Sequence, residues 1–123
     1  MKKMYLTIPL FALIVACGGG NEKKEATAEV VDLSSNPDYQ KGLELIGKSD
    51  CLTCHKVSDK NIGPAYKDVA AKYENTEENV KMLAGKIIKG GQGVWGAIPM
   101  TPHSTLSQAD AEQMVKYILL LKK

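Results

Sequence analysis

The chain has 123 residues, 44% of them hydrophobic and 6% aromatic, with a formal net charge of +2 at pH 7. That length holds one small domain. Every basic residue is lysine, none stands in a basic run, and there is a single Trp, so composition gives no basis for nucleic-acid binding.

Met1-Lys2-Lys3 forms a short basic start, followed by an apolar run from Met4 to Val15. A membrane-spanning helix needs about 20 apolar residues, so this run reads as a secretory signal. It ends in Ile14-Val15-Ala16-Cys17, which resembles the bacterial lipobox. The expectation is a signal peptide over 1–16 and a lipidated Cys17 at the mature N-terminus. Cleavage at Ala16 with an unmodified Cys17 is the alternative. Loss of residues 1–16 removes Lys2 and Lys3 and brings the mature charge to zero. Residues 17–35 carry little apolar periodicity and are expected to form a flexible tether. Its 18 residues after Cys17 would span roughly 20–25 Å as a coil.

Asn36 is placed as N-cap and Pro37 as the first helical residue. Leu43, Leu45 and Ile46 supply an apolar side, and Gly42 permits close approach of another helix. This helix is expected to run into Cys51 and end just past His55. Asn61-Ile62-Gly63-Pro64 marks a turn, and Ala65 to Tyr73 a short helix. Asn75 with Glu78 reads as a capping box. Val80, Leu83, Ala84, Ile87 and Ile88 follow at spacings of three and four, and Gly90-Gly91 stops the helix. Gln92 to Thr105 has no period and reads as a long functional loop. Ser107, with Asp110 three residues on, starts a last helix whose Ala111, Met114, Val115, Ile118 and Leu121 face inward. No strand pattern or repeat is visible. The domain over 36–123 is expected to be all-α.

Cys51-Leu52-Thr53-Cys54-His55 is the spacing by which a c-type haem is attached. Two thiols three residues apart lie on one side of a helical turn, and the next residue, His55, falls beneath the iron as its proximal ligand. The rivals are a redox-active C-x-x-C, which needs a βαβ pattern, and a zinc site, for which Cys17 and His103 are the only other Cys and His. Between about residues 36 and 123 there is no Phe and one Trp. A bound porphyrin would supply apolar mass that so small a core lacks, and cofactor binding would then be folding free energy. The second axial ligand is to be sought among Met82, Met100, Met114 and His103. Met82 and Met114 lie in helical segments, where methionine is a common core filler. Met100 lies in Pro99-Met100-Thr101-Pro102, whose prolines stiffen the loop, and is the favoured candidate.

Three segments together resemble the small bacterial class I cytochromes c of the cytochrome c-551 kind, also called cytochrome c8. They are Cys51 to His55, Gly63-Pro64-Ala65-Tyr66-Lys67-Asp68-Val69-Ala70-Ala71-Lys72, and Gln92-Gly93-Val94-Trp95-Gly96-Ala97-Ile98-Pro99-Met100. The resemblance covers most of 36–123. It implies the class I cytochrome c fold, four to five short helices wrapped around one covalently attached haem c. It implies Cys51 and Cys54 as attachment sites, and His55 and Met100 as axial ligands of the iron. Pro64 would offer its carbonyl to His55, Trp95 would donate to a haem propionate, and the first and last helices would cross near Gly42. Lys86 stands where members often carry Arg on a propionate, and it lacks Arg's fork of donors. Ile46 replaces the aromatic residue usual near the end of the first helix. His103 stands where Asn often lies near the distal ligand, and is read as a solvent-facing loop residue.

With both axial sites filled by protein, the implied function is one-electron transfer and not enzymatic turnover. Expected partners are a quinol-oxidising complex as donor and a terminal oxidase or nitrogen-oxide reductase as acceptor. The protein would be a monomer on the periplasmic side, held to a bacterial membrane by its anchor. Its docking face would be Val57, Ile62, Ala97 and Ile98, rimmed by Lys56, Lys60 and Lys89. The rival function is a haem enzyme or gas sensor in which Met100 gives way to a small ligand.

Overall fold

The computed structural model describes residues 32–122, which belong to one compact unit beginning at Val31. The expected signal peptide, Cys17 and the tether up to Val31 lie outside the described residues. Five α-helices follow in order: α1 Pro37–Gly47, α2 Cys51–Cys54, α3 Tyr66–Lys72, α4 Glu77–Lys89 and α5 Gln108–Leu120. Among the described residues there is no strand, and the only β-type pairing is an isolated bridge between Gly91 and Met100. The domain is all-α.

Three of the five helix starts have a side-chain cap. Asn36 caps α1, its Oδ1 accepting from Asp38 N at 2.9 Å and Tyr39 N at 3.1 Å, with Pro37 at the first position. Ser107 caps α5 by accepting from Asp110 N at 3.1 Å. For α4 the cap is Thr76 and not Asn75. The Thr76 hydroxyl accepts from Asn79 N at 3.3 Å, so the cap lies one residue later and the reciprocal box expected from Asn75 and Glu78 does not form. The last residues of the expected tether also differ. Leu33–Ser35 form a 3-10 turn capped by Asp32, and Gln40 of α1 donates to Ser34 O.

The first helix ends before the cysteines. It was expected to continue through Cys51, but α1 stops at Gly47 and α2 starts afresh. Gly47 is a poor helix former. The Ser49 hydroxyl then donates to Leu45 O at 2.9 Å, and Ser49 N turns to Ile46 O, tightening the end of the helix.

Helix α5 is the axis of the core and packs on α1, α3 and α4. Ala111, Val115 and Leu119, four residues apart, meet Val80, Leu83 and Ala84 of α4. Met114, Tyr117 and Ile118 meet Ile46 of α1 and Tyr66 of α3. Because helices lie on more than one of its sides, Tyr117 and Leu119 are buried beyond the expected stripe, while Leu121 is half-buried. On α1 only Ile46 of the three expected residues is buried; Leu43 is 43% exposed. The α1–α5 crossing is close. A Cβ on Gly42 would lie 2.4 Å from Tyr117 Cβ and 2.6 Å from the Gln113 carbonyl. Gln113 locks the crossing by donating to Asp38 O at 3.1 Å and Asp38 Oδ1 at 3.0 Å.

Candidate functional site

The helices leave a cavity of about 480 Å³ between the α2 segment and the loop after α4. That lies within the range of small-molecule and cofactor sites. Cys51, Cys54, His55 and Pro64 line one part of it, and Lys86, Trp95 and Met100 another. The walls between them are apolar, with Ile46, Val69, Leu83, Ile87 and Ile118. Of the other ligand candidates, Met82 is exposed and does not line the cavity. Met114 does, but it is fully buried among Ile46, Tyr66 and Ile118 as a core residue.

Cys51 and Cys54 are free and half-buried on the single turn of α2. Burial, and secondly the charge of Asp50, pushes the Cys51 thiol up from its ordinary pKa. His55 ends α2 in an extended conformation, its N–H donating to Cys51 O. Its ring Nδ1 lies 2.8 Å from the Pro64 carbonyl. A carbonyl only accepts, so Nδ1 carries the proton and Nε2 keeps a free lone pair. The turn that brings Pro64 there is itself bonded, Gly63 N to Cys54 O at 2.8 Å and Asn61 Nδ2 to Thr53 O at 3.1 Å. Gly63 is required by the ring itself, because a Cβ there would sit 2.4 Å from His55 Cε1. Tyr66 stacks on His55, with centroids 5.4 Å apart and an interplanar angle of 21°. Burial first, and the neighbouring Cys51 second, hold the Tyr66 phenol above its ordinary range.

The loop opposite is closed on itself by one backbone bond and fastened to α4 by another. Met100 N donates to Gly91 O at 2.8 Å and His103 N to Ile87 O at 3.0 Å. Trp95 is 38% exposed and lies under Lys72, whose Nζ is 5.6 Å from the ring centroid. Lys86 is half-buried. His103 is not the solvent-facing residue expected. Its side chain is only 22% exposed, Nε2 lies 3.0 Å from Asp50 Oδ1, and Nδ1 is buried without a partner.

These residues fit a covalently attached haem. Two free thiols one turn apart stand beside an imidazole with a metal-competent nitrogen, over an apolar cavity. The rivals do not fit: the described residues show no βαβ unit, and no group of three or more His, Cys, Asp or Glu that could hold a metal ion. The fold and the site thus define a helical haem-holding domain. The family model described as cytochrome c matches residues 39–122. The chain is 47% identical over 83 residues to cytochrome c-552 of Nitrosomonas europaea, covering 68% of this chain and 81% of that protein. It is 37% identical over 122 residues to cytochrome c-551 of Stutzerimonas stutzeri, covering 99% of this chain and 100% of that one. The crystal structure of wild-type Nitrosomonas europaea cytochrome c552 aligns with a TM-score of 0.61 at 48% identity, over 65% of this chain and 99% of that chain. The protein belongs to the cytochrome c family, as a small class I member with covalent haem c and its iron. It is a mono-haem electron carrier and not an enzyme.

Sequence reasoning missed Gly63, Asp50, Tyr66 and Lys72 as parts of this site. Only Gly63 carried a signal, as a glycine directly before the proline expected to hold the His55 ring.

Proposed function

We propose that Cys51 and Cys54 hold the haem through thioethers and that His55 and Met100 are the axial ligands of its iron. The haem supplies a metal that takes up and releases one electron. His55 binds through Nε2, and Pro64 fixes the imidazole's orientation by accepting from Nδ1. The observation that carries this reading is the 2.8 Å His55–Pro64 contact, which leaves the metal-binding nitrogen free. Met100 gives a soft thioether, which favours ferrous iron and raises the potential relative to bis-histidine ligation. Trp95 and Lys86 line the cavity, where the indole N–H could donate to a propionate of the bound haem and the ammonium would offer the same group a positive charge. With both axial positions filled by side chains, the site passes electrons and turns over no substrate.

Electrons arrive from a quinol-oxidising complex and leave to a terminal oxidase or a nitrogen-oxide reductase. Docking uses the cavity's mouth, where the lining residues Ile62, Ala97 and Ile98 are exposed, Ile98 by 66%, with exposed Lys60; Val57, Lys56 and Lys89, also exposed, extend the face outside the cavity lining. Transient redox contacts are small, so the lysine rim acts mainly on association rate. The double variant Lys56→Glu, Lys60→Glu should slow electron transfer to an acidic-faced partner on the order of tenfold at low ionic strength. An unchanged stopped-flow rate would remove the rim from the docking face.

The protein is a monomer exported by the signal over 1–16, and lipid on Cys17 anchors it on the periplasmic side of a bacterial membrane through the tether. Support comes from the basic-apolar start and the Ile14-Val15-Ala16-Cys17 sequence. Among the described residues, no helix is long and apolar enough to cross a membrane. Wild type should fractionate with membranes and Cys17→Ala should not be lipidated; mature wild type with an unmodified N-terminus would refute the anchor.

A further inference from the structure

The cavity has two walls, and hydrogen bonding between them is sparse. One wall is the attachment segment from Lys48 to Pro64; the other is the loop from Gly90 to Leu106 that carries Met100. The loop's backbone is tied to α4 by His103 N, which donates to Ile87 O, while Met100 N donates to Gly91 O within the loop itself. Across the cavity, among the described residues, the one hydrogen bond between the two walls is His103 Nε2 to Asp50 Oδ1 at 3.0 Å. Its partners stand 53 residues apart in the chain.

Both partners depart from their ordinary behaviour to make it. Asp50 occupies the N-cap of α2, where an aspartate usually accepts from the first-turn amides, yet it makes no side-chain cap bond. Its carboxylate goes to the loop instead. Since that carboxylate only accepts, Nε2 of His103 donates, and Nδ1 is left buried with no partner. Such an orphan is a cost that most buried polar groups avoid. What it accompanies here is, among the described residues, the one hydrogen bond that joins the loop to the attachment segment.

We infer that Asp50 and His103 form a clasp that holds the Met100 loop shut against the attachment segment, so that it governs how often Met100 leaves the iron. This rests on the reading of Met100 as distal ligand. His103 is a positioning residue on this account, acting on the iron only through the loop. The prolines beside Met100 stiffen the loop; the clasp holds the stiffened loop in place.

The test is imidazole binding to the ferric holoprotein, which requires Met100 to leave. His103→Ala and Asp50→Ala should each speed it on the order of tenfold, the equivalent of one modest hydrogen bond. The double variant should be no faster than either single, because both remove the same bond. Asp50→Asn keeps an acceptor oxygen and should stay within about threefold of wild type. Gln113→Ala, which loosens the distant α1–α5 crossing, should lower the unfolding midpoint without changing the imidazole rate. Unchanged rates in the single variants, additive effects in the double, or an equal acceleration in Gln113→Ala would overturn the clasp while leaving the ligand reading intact. Absence of a far-red sulfur-to-iron band in wild type would overturn both.

Discussion

His55 owes its position to a residue with no side chain. The imidazole lies across Gly63, stacked on Tyr66 and bonded to Pro64, so three neighbours fix one ring. Gly63→Ala would drive a methyl to 2.4 Å from Cε1, and either the ring or the Asn61–Pro64 turn must shift. The expected cost is about 1–3 kcal/mol of stability, the range for overpacking. If His55 is the ligand proposed, the reduction potential should move as well, because the Pro64 bond would tune it. Thermal unfolding and a redox titration of the variant check this; a potential equal to wild type would mean the ring did not depend on Gly63. That Cys51, Cys54 and His55 line one cavity was legible because the C-x-x-C-H spacing keeps them within five residues. His103 was not, since its partner Asp50 lies far away in the chain and no periodicity links a loop to a turn.

Helix existence was legible and helix ends less so. The stripe of α4 and the caps of α1 and α5 follow from period and from Asn36 and Ser107. The break between α1 and α2 depends on the Ser49 hydroxyl taking the Leu45 carbonyl, a choice that a run of apolar and polar residues does not encode. Burial on α5 exceeds one stripe because neighbouring helices converge on it, which is a tertiary fact. Gly42 was readable as a contact point, and the crossing bears that out. Gly42→Ala should force α1 and α5 apart, destabilising the protein by about 1–3 kcal/mol. Denaturant unfolding measures this, and a change below about 0.5 kcal/mol, the scale of ordinary surface substitutions, would show that the crossing relaxes freely.

At the scale of the molecule, the fold presents two walls to one cavity. The attachment segment supplies thiols and an imidazole; the loop supplies a thioether; α5 supports the apolar floor. The class of fold and most lining residues were visible in three short segments, because each wall is built from nearly contiguous chain. How the walls are joined was not, since that join is one side-chain bond. The central claim is that His55 and Met100 together close the iron. A visible and near-infrared spectrum of the ferric protein tests it most directly. The native protein should have the weak far-red band of sulfur-to-iron charge transfer; His103→Ala should keep it, and Met100→Ala should lose it while opening the iron to carbon monoxide on reduction. Loss of the band in His103→Ala with carbon monoxide binding there, and its retention in Met100→Ala, would contradict the account.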